Sequence, residues 1–185
     1  AIERLKTIDT LIVDKTGTLT QGRPAFRDVV GCNDFSVSDV LRFAASLEQG
    51  SEHPLADAIV TEARRRELAL SPASDFESVT GFGVRGYVQG LAVALGNARL
   101  MTDVGAEIAE LTSEAEQLRL DGATAMYLAV GGRAAGMIAV ADPIKESTPA
   151  AVRALQAAGL RLIVATGDSR TTAEAVARRL GLDEV

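Results

Sequence analysis

Three short apolar runs that each end beside an aspartate constrain the fold of this chain more than any other feature. Residues 10–14, Thr-Leu-Ile-Val-Asp, lead into a Lys-Thr-Gly-Thr turn, and residues 160–165 lead into Thr-Gly-Asp. Residues 137–141 are followed by Asp-Pro. Apolar runs of this length between polar turns predict buried strands. Because ligands of open α/β sheets bind beyond the carboxyl ends of parallel strands, the three carboxylates predict one polar crevice.

The sequence predicts one helix after the run at residues 137–141 and another after the run at residues 160–165. The first covers residues 147–159, since hydroxyl residues and proline favour helix starts and glycine favours helix ends. The second begins near Ser169, carries Thr171 and Glu174 at the spacing of a capping box, and closes at Gly181. These are the βα units of a doubly wound fold.

The middle of the chain has a different pattern. Apolar residues at helical spacing predict helices at residues 40–47, 55–63 and 108–118. Residues 79–95 and 126–140 are rich in glycine and strand-forming residues, which predicts antiparallel hairpins.

The predicted fold class is therefore α/β. Residues 1–22 and 140–185 are predicted to form a partial doubly wound parallel sheet. Residues 23–139 are predicted to form an inserted α+β domain built on an antiparallel sheet. The apolar runs are far shorter than the ~20 residues of a membrane-spanning helix.

Composition excludes some classes of function. The formal net charge is −6 and aromatic residues make up 4% of the chain, which argues against a nucleic-acid-binding face. Three arginines at residues 64–66 are the densest basic run, and they are expected on a solvated helix face followed by Glu67. The single cysteine, Cys32, excludes an internal disulfide and a cysteine-based zinc site.

The turn after the first run carries residues suited to phosphoryl transfer. A carboxylate such as that of Asp14 can attack a phosphoryl group to give an aspartyl phosphate, and Gly17 lets backbone N–H groups approach the transferred oxygens. Residues 14–20, Asp-Lys-Thr-Gly-Thr-Leu-Thr, resemble the phosphorylation signature of P-type ATPases. The resemblance implies that Asp14, Lys15 and Thr16 belong to the catalytic site. It also implies Mg²⁺ bound by a side-chain oxygen of Asp14 and the backbone carbonyl of Thr16.

Thr16 also bears on the main alternative, a phosphatase of the haloacid dehalogenase superfamily. Those phosphatases resemble this chain in their sheet but usually carry a second aspartate two residues after the nucleophile, which protonates the leaving group and activates water. This sequence has Thr16 at that position. Without an adjacent base the phosphorylated intermediate can persist, which favours a pump.

Two further segments resemble motifs of the same phosphorylation domain. Thr166, Gly167 and Asp168 follow the apolar run at residues 160–165. The resemblance implies that Thr166 hydrogen-bonds the transferred phosphoryl group. Asp168 is implied to organise the metal and the nucleotide. Asp142 and Lys145, in Asp-Pro-Ile-Lys, resemble the hinge at the return from the insert, with a structural role and some nucleotide contact.

Within the insert, a His-Pro pair is typical of heavy-metal-transporting P-type ATPases. Pro54 at a helix start fixes the position of His53, whose imidazole can pack on or hydrogen-bond adenine. The resemblance implies nucleotide contacts at Glu48 and His53, and at three glycines: Gly81, Gly83 and Gly96.

The glycine-rich stretch at residues 81–86 fits the dinucleotide pattern G-x-G-x-x-G by letter alone. A helix should follow such a motif, whereas residues 87–95 continue as strand. We interpret the stretch as a hairpin whose missing side chains leave room for adenine and ribose beside the backbone.

Together the motifs resemble the ATP-binding cytoplasmic part of a heavy-metal-transporting P-type ATPase, an integral membrane protein. The implied ligands are ATP and Mg²⁺, and the implied partners are an actuator domain, transmembrane helices and the transported metal ion. The likeness of residues 47–60 to copper exporters implies Cu(I) as that ion. The alternatives are the phosphatase and a non-catalytic nucleotide-binding module.

The chain by itself is expected to bind ATP without turning it over. The family's downstream Gly-Asp-Gly-x-Asn-Asp segment and phosphate-stabilising lysine do not occur in these 185 residues. The loss of one such electrostatic group typically costs about a hundredfold or more in rate.

Overall fold

In a computed structural model, residues 8–167 and 169–182 are described, and they form two sheets with helices packed on them. Within these ranges the strands are β1 Thr10–Asp14, β2 Ala25–Gly31, β3 Ala73–Val79, β4 Gly83–Val88, β5 Leu91–Gly96, β6 Thr124–Val130, β7 Arg133–Ala141 and β8 Arg161–Ala165. The helices are α1 Val37–Glu48, α2 Pro54–Arg65, α3 Ala98–Asp103, α4 Ala109–Leu120, α5 Thr148–Ala157 and α6 Arg170–Leu180.

The first and last strands, β1 and β8, pair in parallel as the sequence predicted. The register runs from Thr10 opposite Arg161 to Asp14 opposite Ala165. Helices α5 and α6 bury one face of this pair in an apolar cluster that includes Val152, Leu162 and Val176. We call β1, β8, α5 and α6 the two-stranded unit.

The remaining strands form one antiparallel sheet in the order β2-β7-β6-β5-β4-β3. Helices α1 and α2 cover one face, where Val40, Leu41 and Ile59 are fully buried against the sheet. Helices α3 and α4 cover part of the opposite face with Leu100 and Leu111. We call this sheet and α1–α4 the six-stranded unit. It confirms the predicted hairpins and the three predicted central helices.

The local sequence explains where the two long helices of this unit begin. Ser36 caps α1 and accepts a hydrogen bond from the Asp39 N–H, while the Asp39 carboxylate accepts one from the Ser36 N–H at 3.1 Å. This reciprocal pair satisfies two N–H groups that lie outside the helix hydrogen bonding. Pro54 occupies the first turn of α2, where its missing N–H costs nothing. No helix among the described residues is long and apolar enough to cross a membrane.

The prediction of a third parallel strand at residues 137–141 is wrong. These residues are the second half of β7, which pairs antiparallel with β2 on one side and β6 on the other. Because β7 lies in the interior of the sheet with both faces covered, it is apolar throughout, as buried parallel strands are. The apolar run therefore did not distinguish the two kinds of strand.

The predicted start of α6 near Ser169 is confirmed, whereas the predicted capping box of Thr171 with Glu174 is wrong. Ser169 is the N-cap, and its hydroxyl accepts the Thr172 N–H at 3.3 Å. Thr171 thus lies inside the helix, and Glu174 pairs with Arg170 at 2.7 Å instead of closing a capping box. Gly181 ends the helix with φ of 68°, a left-handed conformation that glycine adopts at no cost, as predicted.

Glu62, near the end of α2, is buried beside two arginines of the basic run. Its oxygens accept hydrogen bonds from Arg65 at 2.7 and 2.8 Å and from Arg66 at 2.7 Å. The Arg65 hydrogen bonds lower the pKa of Glu62 from 4.5 to about 2, against the opposing effect of burial and with further help from Arg66. Two of the three arginines are therefore bound to one carboxylate.

We expect Glu62→Gln to destabilise the protein by about 1 to 2 kcal/mol at pH 7, because the buried carboxylate loses charged hydrogen bonds whose strength is reduced by the solvent exposure of Arg65. A lowered pKa in the folded state stabilises above pH 4.5, and this stabilisation disappears as the pH falls towards 2. Urea unfolding at pH 7 and pH 3 should therefore show a smaller difference from wild type at pH 3. The exposed Glu67, changed to Gln, is the control, and an equal difference at both pH values would contradict the interpretation.

Candidate active site

Asp14 lies exposed at the carboxyl end of β1, next to the loop that follows β8. The parallel register sets Asp14 opposite Ala165, so that Thr166 and Gly167 leave the sheet at the same edge. Two predicted motifs far apart in the chain thus meet at one place. Asp168, predicted to organise metal and nucleotide, lies outside the described residues.

The turn after Asp14 is fixed by Thr20. Its backbone N–H donates to the Lys15 carbonyl at 3.1 Å, and its hydroxyl oxygen accepts the Gly17 N–H at 3.2 Å. Gly17 has φ of 76°, which permits the sharp change of direction. Lys15 is buried, while Thr16 and Thr18 are exposed. The N–H of Gly17 itself is therefore used to hold the turn.

Lys145 contributes a positive charge to this turn. It lies after β7, where the chain returns from the six-stranded unit to the two-stranded unit. Its Nζ donates to the Gly17 carbonyl at 2.5 Å, three residues beyond Asp14. A positive charge bound to the turn that follows Asp14 favours the binding of an anionic group at this edge of the sheet.

The chain passes between the two units twice, at residues 20–24 before β2 and at residues 142–147 after β7, and we call these segments the two crossings. Asp142 links them by hydrogen bonds. Its Oδ2 accepts hydrogen bonds from the Thr20 hydroxyl at 2.6 Å and the Gly22 N–H at 3.2 Å, and its Oδ1 accepts the Arg23 N–H at 3.2 Å. Both oxygens of Asp142 are therefore occupied by hydrogen bonds from the protein.

Glu48, the last residue of α1, is a buried carboxylate without a full set of partners. The residue is 6% exposed, and its Oε2 has no hydrogen-bond partner among the described residues. Burial raises the pKa of Glu48, and a hydrogen bond with Ser51 opposes that effect in part. An unpaired buried carboxylate oxygen costs free energy, so this position suits a ligand that supplies a donor.

His53 caps α2 from an exposed position. Its Nδ1 accepts the Leu55 N–H at 3.2 Å, and its own N–H donates to the Ser51 hydroxyl at 3.2 Å. Since Nδ1 is an acceptor, the neutral imidazole carries its proton on Nε2. The ring is therefore held by the helix start, with its Nε2–H edge available as a donor.

Glu48 and His53 flank a loop that lies against β3 and β4. A Cβ atom on Gly50 would lie 3.7 Å from the Phe76 ring, and a Cβ on Gly86 would lie 3.1 Å from Leu47. The Ser51 N–H donates to the Glu48 carbonyl at 3.0 Å, and the Ser51 hydroxyl accepts the backbone N–H of His53 at 3.2 Å. The two predicted adenine contacts are thus linked through Ser51.

The three predicted glycines fall into two groups. A Cβ on Gly83 would lie 2.1 Å from the Leu95 carbonyl oxygen, and one on Gly96 would lie 2.1 Å from the Phe82 carbonyl oxygen. These two glycines are required by the close approach of β4 and β5. Gly81 is exposed, with nothing within 4 Å of its Cβ direction. Only Gly81 leaves space that a ligand can occupy.

Asn97 was not predicted as a site residue, although it directly follows Gly96. Its Nδ2 donates to the Gly81 carbonyl at 3.0 Å, while its Oδ1 caps α3 by accepting from Arg99 and Leu100 N–H groups, each at 3.1 Å. Asn97 therefore fixes the glycine turn. An asparagine just before a helix is an N-cap signal, and α3 was too short to be predicted by periodicity.

Two surface cavities, of about 420 and 400 Å³, lie elsewhere on the six-stranded unit. The first is lined by residues that include Cys32 and Glu110, and the second by residues that include Arg85 and Tyr87. Neither is lined by a predicted site residue. These two cavities are therefore separate from the candidate site.

Comparison with known proteins places this geometry in a family. A model described as haloacid dehalogenase-like hydrolase matches residues 8–185. The chain belongs to the haloacid dehalogenase-like hydrolase family.

Relatives of this hydrolase chain match it along its whole length. It is 50% identical to "Copper-transporting ATPase 1" of Rhizobium meliloti (strain 1021), covering 100% of this chain and 22% of the relative. It is 43% identical to the "Silver exporting P-type ATPase" of Salmonella typhimurium, again covering 100% of this chain and 22% of the relative. The predicted resemblance to heavy-metal P-type ATPases is confirmed, and the chain spans about a fifth of the length of these relatives.

Solved structures give the same result for the fold. A zinc-transporting PIB-type ATPase in the E2.Pi state superposes with a TM-score of 0.71 at 32% identity, covering 100% of this chain and 30% of that one. The catalytic domain of the CPx-ATPase CopB-B superposes with a TM-score of 0.71 at 26% identity, covering 99% of this chain and 62% of that one. The predicted fold class of this hydrolase chain is thereby confirmed.

The unpaired oxygen of Glu48 leads to a prediction about stability. A carboxyl group whose pKa is raised by folding destabilises the protein as the pH rises above its ordinary value of 4.5. We expect Glu48→Gln to stabilise this hydrolase chain by about 1 kcal/mol at pH 7.5, because a buried unpaired charge is removed. The melting temperature should rise by about 2 to 4 °C at that pH.

The difference should shrink as the pH falls through 4.5 and vanish near pH 3, where Glu48 is protonated in both states. Glu52→Gln, at an exposed position in the same loop, is the matched control and should have no effect at either pH. Lower stability of Glu48→Gln at pH 7.5 would show that both carboxylate oxygens have partners.

Proposed function

We propose that this chain is the ATP-binding catalytic part of a P-type ATPase that transports a heavy-metal cation through an aspartyl-phosphate intermediate on Asp14. The observation that carries the proposal is the parallel register of β1 and β8, which sets the exposed Asp14 opposite Ala165. This register brings residues 14–20 and the Thr166-Gly167 loop to one edge. The similarity to copper- and silver-transporting ATPases over the whole chain supports the same assignment.

In the proposed reaction, a carboxylate oxygen of Asp14 attacks the γ-phosphorus of ATP. The new O–P bond forms as the bond to the bridging oxygen breaks, and ADP leaves with that electron pair. Water later attacks the phosphorus and returns Asp14 as a carboxylate with release of phosphate. Thr16 cannot act as a base for this second step, which fits an intermediate that lasts long enough to drive transport.

The chain supplies groups that orient the phosphates. Thr166 donates a hydrogen bond to the phosphoryl group, and Lys145 offsets its negative charge from the opposite side of the turn. Lys15 directly follows Asp14, and Gly167 lies in the loop that the β1–β8 register brings to the same edge, so both belong to the proposed phosphoryl site.

A Mg²⁺ ion fits the donors at this edge. The Asp14 carboxylate and the Thr16 carbonyl are hard oxygen ligands on an exposed turn, and Mg²⁺ usually takes one or two carboxylates together with phosphate oxygens and water. When bound, Mg²⁺ neutralises charge on the transferred phosphoryl group. Among the described residues, no cluster of three or more His, Cys, Asp or Glu side chains forms an all-protein metal site.

In this proposal the adenine binds at the other end of the molecule. The buried Oε2 of Glu48 accepts a hydrogen bond from the exocyclic amine when the loop at residues 49–52 moves aside, and the imidazole of His53 packs on or donates to the base. The open side of Gly81 receives the ribose, next to the turn held by Asn97. Residues 23–139 are then the nucleotide-binding domain, and residues 1–22 and 140–185 belong to the phosphorylation domain.

The transported ion is proposed to be Cu(I). The names of the relatives at 50% and 48% identity support copper, whereas a silver exporter and a zinc-transporting structure are also similar to this chain. In the proposed pump, the chain is a cytoplasmic domain that works with an actuator domain and transmembrane helices. The test is metal-stimulated ATP hydrolysis by the membrane protein that contains this chain, with Cu(I), Ag(I) and Zn(II) compared. Stimulation by Zn(II) alone would overturn the copper assignment.

We expect His53→Ala to weaken ATP binding to this chain about tenfold, or 1.4 kcal/mol. The alanine variant also loses the cap of α2, which costs about 0.5 to 2 kcal/mol of stability. His53→Asn is the matched variant, because asparagine caps helices well but has no imidazole. Titration calorimetry should show equally weak ATP binding for both variants, with stability lost only in the alanine variant. Wild-type affinity in His53→Asn would exclude an adenine contact.

Asp14→Asn should leave the ATP affinity of this chain nearly unchanged, or raise it slightly, because a negative charge near the γ-phosphate is removed. The same substitution in the intact pump should abolish the acid-stable phosphoenzyme formed from γ-labelled ATP. A labelled Asp14→Asn protein would identify another carboxylate as the nucleophile. Release of phosphate from small phosphate esters by the wild-type chain would favour the phosphatase instead.

A further inference from the structure

Helix α6 contacts both units of the molecule. On one side Val176 and Leu180 pack in the apolar cluster of the two-stranded unit with Leu162. On another side Thr172, which is 1% exposed, donates its hydroxyl hydrogen to the Ala123 carbonyl oxygen at 3.0 Å. Ala123 lies just before β6, so this bond joins the two units directly.

Ser169 extends this bond towards the candidate active site. The hydroxyl oxygens of Ser169 and Thr172 are 2.9 Å apart, and Ser169 Oγ also accepts the Thr172 N–H at 3.3 Å. Because Thr172 has one hydroxyl hydrogen and gives it to Ala123, the Ser169 hydroxyl is the donor between the two side chains. A continuous chain of hydrogen bonds thus runs from Ala123 to a residue two positions after Gly167.

The surroundings of this chain of bonds are closely packed. A Cβ atom on Gly122 would lie 3.5 Å from Val176, and the Thr171 hydroxyl donates to Glu116 of α4 at 2.9 Å. A buried hydroxyl costs free energy unless it is hydrogen-bonded, and valine would fill the same space without that cost. The Thr172 hydroxyl therefore fixes the relative orientation of α6 and Ala123, because a hydrogen bond depends on direction and an apolar contact does not.

The position of Ala123 makes this contact effective as a pivot. The next residue, Thr124, pairs with Val140, two residues before the crossing residue Asp142. The two units are joined at that crossing, while Glu48 and His53 lie at another part of the six-stranded unit. If the Thr172–Ala123 bond is lost, the six-stranded unit can rotate about the crossing. Such a rotation displaces the proposed adenine site relative to Asp14.

We propose that Thr172 is a positioning residue: through Ser169 and Ala123 it fixes the orientation of the six-stranded unit relative to the loop that carries Thr166 and Gly167. This orientation sets whether a nucleotide held by the six-stranded unit presents its γ-phosphate to Asp14. The consequence for the nucleotide rests on the proposed function, whereas the orientation itself does not.

The orientation is tested in the full chain by pulsed electron spin resonance. Spin labels are attached at Thr61→Cys in α2 and Ala154→Cys in α5, both exposed, after Cys32→Ser removes the native thiol. Thr172→Val should widen the distance distribution between the labels about twofold, as expected when a hinge loses a fixing contact. Thr172→Ser keeps the hydroxyl and should retain the wild-type width.

Thr171→Val is the matched control, because it removes a hydrogen bond to Glu116 that also joins the two units but is exposed to solvent, whereas the Thr172 bond is buried. It should leave the distribution close to wild type. Ser169→Ala, at an exposed position, is the second test variant and should also widen the distribution, so the proposal can be judged even if Thr172→Val folds poorly. Wild-type widths in both Thr172→Val and Ser169→Ala would overturn the proposal.

The consequence for catalysis is measured in the intact pump. Thr172→Val should lower the rate of phosphoenzyme formation at saturating ATP about tenfold, because the reacting groups are held less accurately. The KM for ATP should stay within about twofold, since the adenine site is unchanged. An unchanged rate together with a widened distance distribution would overturn the positioning role. Absence of phosphoenzyme in the wild type would instead refute the proposed function, and the label distances would still decide the orientation.

Discussion

The Asp142 carboxylate is the interaction on which the arrangement of the two units depends. The chain crosses between the units twice, and Asp142 of the second crossing accepts hydrogen bonds from Thr20, Gly22 and Arg23 of the first. Backbone bonds continue the contact, from Gln21 N–H to the Pro143 carbonyl at 2.8 Å and from Lys145 N–H to the Leu19 carbonyl at 3.1 Å. A polypeptide of more than a hundred residues thus leaves and re-enters the sheet at nearly one point.

The same contact shapes the edge of the sheet where chemistry is proposed. Thr20 contacts Asp142 and also holds the turn after Asp14, so the position of the turn depends on both crossings. Lys145 reaches the turn because it follows the crossing directly. The polar groups of the turn after Asp14 are therefore positioned by the contact between the two units as well as by the strand that carries the aspartate.

The sequence predicted most of this architecture because its signals were local. The in-register approach of Asp14 to the segment after β8 followed from two apolar runs that end in polar turns. Residues 137–141 were misassigned because a central antiparallel strand with both faces covered has the same apolar pattern as a parallel one. The predicted start of α6 near Ser169 was right, but the spacing of Thr171 and Glu174 suggested a capping box that the structure does not contain, because Ser169 is the cap.

The candidate site was harder to predict than the fold. Residue types and motifs identified Glu48 and His53, but the unpaired oxygen of Glu48 and the helix-capping bond of His53 depend on packing around the loop. The bond from Thr172 to Ala123 links residues 49 positions apart through a buried contact, and local periodicity holds no information about it. Asn97 had a local signal, since asparagine favours helix starts, but its bond to Gly81 depends on the strand pairing.

Gly83 and Gly96 face one another across β4 and β5, and each is closed to a side chain by the backbone of the opposite strand. Neither glycine can be replaced first, because relief at one position does not remove the carbonyl group that blocks the other. Related proteins that keep this hairpin are therefore expected to keep both glycines, whether or not a nucleotide contacts them. Conservation of the pair is not evidence of a ligand site. Unchanging residues at such a pair report on the spacing of two strands, and ligand recognition has to be sought at neighbours such as Gly81 that face open solvent.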